Sequence, residues 1–206
     1  HESTEVVNNV KTTVWKQSVP ISSYLLALAV AQLESRELSS RCAVYSEPGV
    51  VDAAAYEFAE TEDFLKTAEA IAGTPDQWTR YDLLCLPPSF SYGGMENPCM
   101  TFVTPTLLAG DRSLAGVVAH EIAHSWTGNY VTCATWDHFW LNEGWTVWFE
   151  RKIKARRQGA EYLDFEAIGG YKSLVIANTN MATEFTSLVL PIGDNDPDDA
   201  YSVVAY

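Results

Sequence analysis

Basic charge is scarce in this chain: 13 Lys and Arg stand against 27 Asp and Glu, a net charge of −14. That balance argues against a nucleic acid or an anionic membrane surface as the partner, because both recruit cations. It leans weakly toward cationic or amino-terminal ligands. Cysteine is scarce too. Cys42, Cys85, Cys99 and Cys133 stand far apart and form no Cys-x-x-Cys, so nothing resembles a small disulfide-stapled scaffold. Free thiols in a reducing compartment, hence a cytoplasmic location, are expected. No signal peptide is recognisable, and the longest apolar run, residues 24–31, is far too short to span a bilayer. Internal repeats and low-complexity tracts are absent. An initiator Met is missing and the chain starts and stops abruptly, so a piece of a longer polypeptide is expected.

With 206 residues, 47% of them hydrophobic, the chain can build a real core in one or two domains. Up to residue 45 the texture is mainly that of strands: Val10, Thr12 and Val14 alternate, and residues 24–28 form an apolar run that reads as a buried strand or a short helix. After a Pro48-Gly49 turn, apolar positions recur at helical spacing over 51–72, with Gly73 as the stop. A division near residue 40 is expected, with the end of a β-rich domain over 1–40 and a helix-rich domain over 41–206. In the second part, residues 81–86 and 101–104 read as strands flanking a loop, and 141–157 as a helix. The basic last turn of that helix (Lys152, Lys154, Arg156, Arg157) reads as a solvated end that suits the helix dipole. An EF-hand loop starting at Asp194 would need Gly at Asp199 and Glu at Ala205, so that acidic run reads as a solvated loop.

The chemistry centres on His120-Glu121-Ile122-Ala123-His124, inside an apolar helical run expected to be capped by Asp111 and stopped at Gly128-Asn129. An HExxH string arises by chance in a chain of this length on the order of once in a hundred, so the spacing carries information. Residues i and i+4 share a helix face, so two imidazoles can hold one cation, with Glu121 beside them to take a proton from water. Catalytic zinc needs three protein ligands and an open fourth position. Eighteen residues separate His124 from Glu143, enough for the helix to end and a second helix to present its carboxylate to the same metal. The alternative metzincin extension fails, because Thr127 stands where Gly is required and Tyr130 where a third His is required.

Four strings carry a resemblance over most of the chain: Leu86-Pro87-Pro88-Ser89-Phe90, Gly93-Gly94-Met95-Glu96-Asn97-Pro98-Cys99, the run at 102–111, and the run from Thr135 to Glu143-Gly144. Together with the HExxH helix they resemble the gluzincin zinc aminopeptidases, on the branch that contains leukotriene A(4) hydrolase and aminopeptidase B. The resemblance implies a mixed α+β fold, with a thermolysin-like, helix-rich zinc catalytic domain preceded by the end of a β-rich domain. It implies one Zn²⁺ held by His120, His124 and Glu143, with Glu121 as general base. Glu96 would anchor the substrate α-ammonium within the Gly93, Gly94, Met95, Glu96, Asn97 loop, whose glycines let a peptide backbone approach as an added strand. Tyr206 matches the tyrosine that donates to the oxyanion, with Tyr201 lining the pocket. Asp198 matches an aspartate that directs water to an epoxide carbon, against the alternative of an exposed acidic loop. Asp137 and Glu150 read equally as carboxylates that orient a ligand or as surface and capping groups, and His138 as structural.

The expected activity is hydrolysis of N-terminal peptide bonds, with a fatty-acid epoxide as a further substrate of the same site. A zinc-stabilised peptide-binding module without turnover is the alternative, and Glu121 speaks against it because a structural site needs no base. The resemblance also implies N- and C-terminal domains of the same polypeptide, outside these residues, that complete substrate binding.

Overall fold

The computed structural model describes residues 1–193 and 197–206, so Asp194 and Asp196 of the acidic run lie outside the described residues. The chain opens with an antiparallel hairpin, β1 (Ser3–Val7) and β2 (Val10–Val14). Asn8 and Asn9 turn it with φ of 50° and 63°, the left-handed pair a two-residue hairpin turn demands. The apolar run at 24–28 corrects the expectation of burial. Residues Ser23–Leu25 form a single 3-10 turn in which Leu25 is buried, while Leu26 and Leu28 are 83% and 89% exposed. No described strand pairs with this run, so its apolar side chains are not enclosed.

The main sheet is built from β3 (Glu34–Glu37), β4 (Ala43–Ser46), β5 (Asp82–Cys85), β6 (Gly94–Met95) and β7 (Met100–Val103), in the order β3-β4-β5-β7-β6. Strands β4, β5 and β7 run parallel; the outer pairs β3-β4 and β6-β7 are antiparallel. The β3-β4 pairing carries the sheet across residue 40. The parallel centre is buried, with Val44, Leu83 and Val103 fully enclosed, as parallel strands covered by helices should be.

Among the described residues the α-helices are α1 (Val51–Glu57), α2 (Thr61–Ala72), α3 (Gly116–His124), α4 (Trp140–Gln158) and α5 (Glu161–Asn180). The expected single helix over 51–72 is two. Thr61 bonds the Phe58 carbonyl through its amide (3.1 Å) and its hydroxyl (2.7 Å), closing the chain into a turn while Phe58 packs into the core. Gly73 ends α2 in the left-handed conformation, φ 70°, as its position suggested. One core joins Leu65 and Ala68 of α2, Val118, Ala119 and Ile122 of α3, Phe149 and Ile153 of α4, and Val44 and Leu83 of the sheet.

The β3-β4 turn is tied to α2 by Arg41, which meets both Glu69 oxygens at 2.8 Å and Glu62 at 3.2 Å. The Arg41 hydrogen bonds pull the Glu69 carboxyl below its ordinary 4.5 against partial burial. Burial pushes Glu62 up, but Arg41, Ser39 and Cys42 together hold it below 4.5 as well. A carboxyl lowered in the folded state stabilises above its unfolded pKa, and that contribution is lost as pH falls through the folded value. Acid titration of the melting temperature is therefore expected to fall below about pH 4.5, and Arg41→Met should flatten that limb.

Candidate metal centre and active-site cleft

α3 is short and packs Val118, Ala119, Ile122 and Ala123 into the core. The opposite face carries His120, Glu121 and His124 into a cleft of about 590 Å³. The helix begins at Gly116 rather than under an Asp111 cap. Asp111 instead accepts the Ser113 amide at 2.9 Å and closes the turn before it.

The two histidine Nε2 atoms lie 3.1 Å apart, and Glu143 Oε2, from the first turn of α4, lies 3.3 and 3.4 Å from them. The far ring nitrogens explain why both Nε2 atoms face inward. His120 Nδ1 meets Glu150 Oε2 at 3.0 Å, and His124 Nδ1 meets the Thr127 carbonyl at 2.9 Å and Thr146 Oγ1 at 3.1 Å. A proton on each Nδ1, donated to those acceptors, leaves a lone pair on each Nε2 aimed at one point. Glu143 Oε2 is buried and has no hydrogen-bond donor. Two imine nitrogens and a carboxylate oxygen converging without a donor form a set that fits a divalent cation, and zinc favours these ligands.

The titration of the groups expresses the same demand for positive charge. Burial pushes Glu143 up, yet the facing His124 and His120 hold it at about 2. Burial pushes His124 down, yet Glu143 and Glu96 carry it up to about 9, and carboxylates raise His120 likewise. Glu121 is different. Burial, opposed by both histidines, pushes it up to about 7, the range of a base that accepts and returns a proton near neutrality.

The wall facing α3 is β6 and the residues around it. Gly93, Gly94, Met95 and Glu96 line the cleft, and β6 is the last strand of the sheet, bonded to β7 along one side. Glu96 is 7% exposed, and one of its oxygens lies within 4.8 Å of both a Glu121 oxygen and a His124 ring nitrogen. Gly94 is there because of Glu121: a Cβ at this position would overlap the glutamate, 2.5 Å from its Cδ and 2.8 Å from its Cγ. Asn129 donates to the Glu96 carbonyl at 2.7 Å and fixes the strand end. Asn97 is the exception in this loop, buried and outside the cleft lining.

The third wall is the end of the chain. A small second core of Phe139, Leu190, Ile192 and Ala200 anchors it, and Asp137 accepts the amides of Ile192 (2.9 Å) and Gly193 (3.1 Å). Asp137 thus serves that anchor, whereas Glu150 reaches the His120 ring. The Ala205 carbonyl crosses Gly144 so closely that a Cβ there would sit 3.1 Å from it. This places the Tyr206 ring parallel to His120, with centroids 6.2 Å apart. Burial and then Glu143 raise the Tyr206 phenol above its ordinary value, so it keeps its proton and can donate. Tyr201 and Asp198 line the same cleft. His138 is exposed on the 3-10 turn Trp136–His138, outside the ligand cluster.

Sequence reasoning missed Tyr24, Tyr92, Trp136 and Thr146. Thr146 was findable, three residues beyond Glu143 on one helix face. Tyr24 was not, because its link to Asn142 (3.3 Å) spans 118 positions.

The description Peptidase family M1 domain matches residues 56–206. The chain is 56% identical over 201 residues to a leukotriene A-4 hydrolase of Xenopus laevis, covering 97% of this chain and 33% of that protein. It is 48% identical over 208 residues to leucine aminopeptidase 2 of Yarrowia lipolytica, covering 97% and 32%. Among solved structures, native yeast LTA4 hydrolase superposes with a TM-score of 0.88 at 46% identity, over 92% of this chain and 31% of that one. The chain spans about a third of the length of the curated relatives it matches.

Proposed function

Because the chain belongs to peptidase family M1, we propose that it carries the metal centre of a zinc aminopeptidase. The observation that carries this reading is the convergence of three ligand atoms from His120, His124 and Glu143, with Glu121 and Glu96 beside them in one cleft. His120, His124 and Glu143 would hold the zinc, which when bound activates water and polarises a carbonyl. The base, the amine anchor and the oxyanion donor are placed on this chain. A peptide lies along the open side of β6, its α-ammonium against Glu96, which makes the enzyme count from the free end. Glu121 takes the proton of the attacking water and returns it to the leaving amine. Tyr206 donates its hydroxyl to the oxygen on which negative charge develops. Asn97 would support the strand from behind rather than touch substrate. Glu96→Gln keeps the shape and removes the charge, and is expected to lower kcat/KM for a free-amine peptide by roughly 10- to 100-fold, the range for losing a hydrogen bond to a charged group. Unchanged kcat/KM would remove Glu96 from the anchor.

A second substrate class, a fatty-acid epoxide, is favoured by one observation: Asp198 lines the same cleft beside Tyr201. Asp198 would direct water to a substrate carbon. The Asp198→Asn protein is expected to lose epoxide hydrolysis and keep peptide hydrolysis, and equal loss of both would remove this role. A binding module without turnover is disfavoured by a base-like Glu121 in the cleft. The four free cysteines support a reducing, cytoplasmic compartment; no described helix is long and apolar enough to cross a membrane. We place the remaining substrate contacts, including cations for a substrate carboxylate, on other domains of the polypeptide. The exposed Phe165, Ile168 and Tyr171 of α5 would face such domains.

A further inference from the structure

Lys154 belongs to the helix end that charge pattern alone marks as solvated, yet its side chain is only 12% exposed. Its ammonium lies 2.5 Å from Glu150 Oε1 and 3.2 Å from Glu166 Oε2. Glu150 uses its other oxygen on His120 Nδ1, at 3.0 Å. One line of polar groups therefore runs from α3 through α4 to α5: the His120 ring, the Glu150 carboxylate, the Lys154 ammonium and the Glu166 carboxylate.

The backbone makes room for it. Lys154 crosses Gly116, the first residue of α3, so closely that a Cβ there would lie 2.7 Å from Cε and 3.1 Å from Nζ. Burying a lysine costs free energy unless it is paired on good geometry, and here both partners are in place. The cation is not among the residues that line the cleft. What it touches is the acceptor that orients a metal ligand. Without it, Glu150 keeps only its His120 contact and loses the cation on its outer oxygen. Histidine ligands depend on such acceptors for tautomer and ring angle.

We infer that Lys154, seated over Gly116 and tied to Glu166, is a positioning residue of the metal centre: it fixes Glu150, which fixes the His120 ring with Nε2 toward Glu143. The inference rests on the zinc reading above and extends that centre to α5, a helix that contributes no ligand.

The test is the zinc affinity of the full-length protein, measured by chelator competition for wild type, Lys154→Met, Gly116→Ala and Arg41→Met. Lys154→Met is expected to weaken zinc binding by up to roughly 10-fold, the low end of the range for lost partners of ligating histidines because it acts through Glu150, and to speed exchange of the His120 Nδ1 proton seen by NMR. Gly116→Ala keeps the charge, favours the helix and displaces the ammonium, so it should weaken zinc in the same direction. It decides the matter if Lys154→Met does not fold. Arg41→Met breaks an ionic network outside the cleft and should lose stability with zinc affinity unchanged. Unchanged affinity in the Lys154 and Gly116 variants overturns the inference, as does an equal loss in Arg41→Met. A wild-type protein that takes up no zinc overturns the metal reading and this inference together. A wild type that binds zinc no better than Lys154→Met overturns this inference alone.

Discussion

Glu121→Gln is expected to lower kcat on peptide substrates by roughly 10²- to 10⁴-fold, the contribution of a positioned general base, while zinc stays bound. Glu121 is 5% exposed; it converges with Glu96 and His124, while the set that uses both histidines is completed by Glu143. Glutamine fills the same space and cannot accept the proton. Zinc content by elemental analysis and turnover on one peptide separate the two functions. Retained turnover would mean that the base lies elsewhere, and lost zinc would mean that Glu121 is part of the ligand set.

Gly94→Ala, a change of one methyl outside the HExxH string, should be nearly as damaging. The added Cβ falls on the Glu121 carboxylate, 2.5 Å from Cδ. β6 is held to β7 in a register that pairs Gly94 with Val103. Relief must come from a shift of Glu121, the proposed base, or of β6, the strand proposed to receive the peptide. A displacement of about 1 Å at reacting groups costs on the order of 10²-fold, so kcat/KM should fall by about that factor. Gly94 is not in the left-handed region, so alanine adds no backbone strain, and any fall in melting temperature comes from the side-chain overlap alone. A fall in melting temperature with unchanged kcat/KM would contradict this account of the glycine.

Both expectations start from residues that the sequence already singled out, and the reason is local. His120, Glu121 and His124 are neighbours on one turn, and helical geometry alone puts them together. Glu143 required one further step, a helix returning past the first. The elements that eluded sequence reading depend on distant partners. Residues 24–28 look buried because they are apolar, but burial needs an opposing layer. The helix over 51–72 breaks where Thr61 takes the Phe58 carbonyl, a competition that periodicity does not register. In α5 only Ala177 is buried, so no amphipathic stripe announces it. Lys154 looked solvated because Glu166, its second partner, sits on that unannounced helix. Asp137 read equally as a ligand-orienting or a capping carboxylate, and what decides between them, the amides of Ile192 and Gly193, lies more than fifty residues on.

The most direct measurement is hydrolysis of one peptide with a free amino terminus and of its N-acetylated twin by the full-length, zinc-loaded protein. With Glu96 as the amine anchor and Glu121 as the base, the free-amine peptide should be cut one residue at a time from its amino end and the acetylated twin left intact. Equal cleavage of both, or cleavage of neither with zinc bound, would contradict the account.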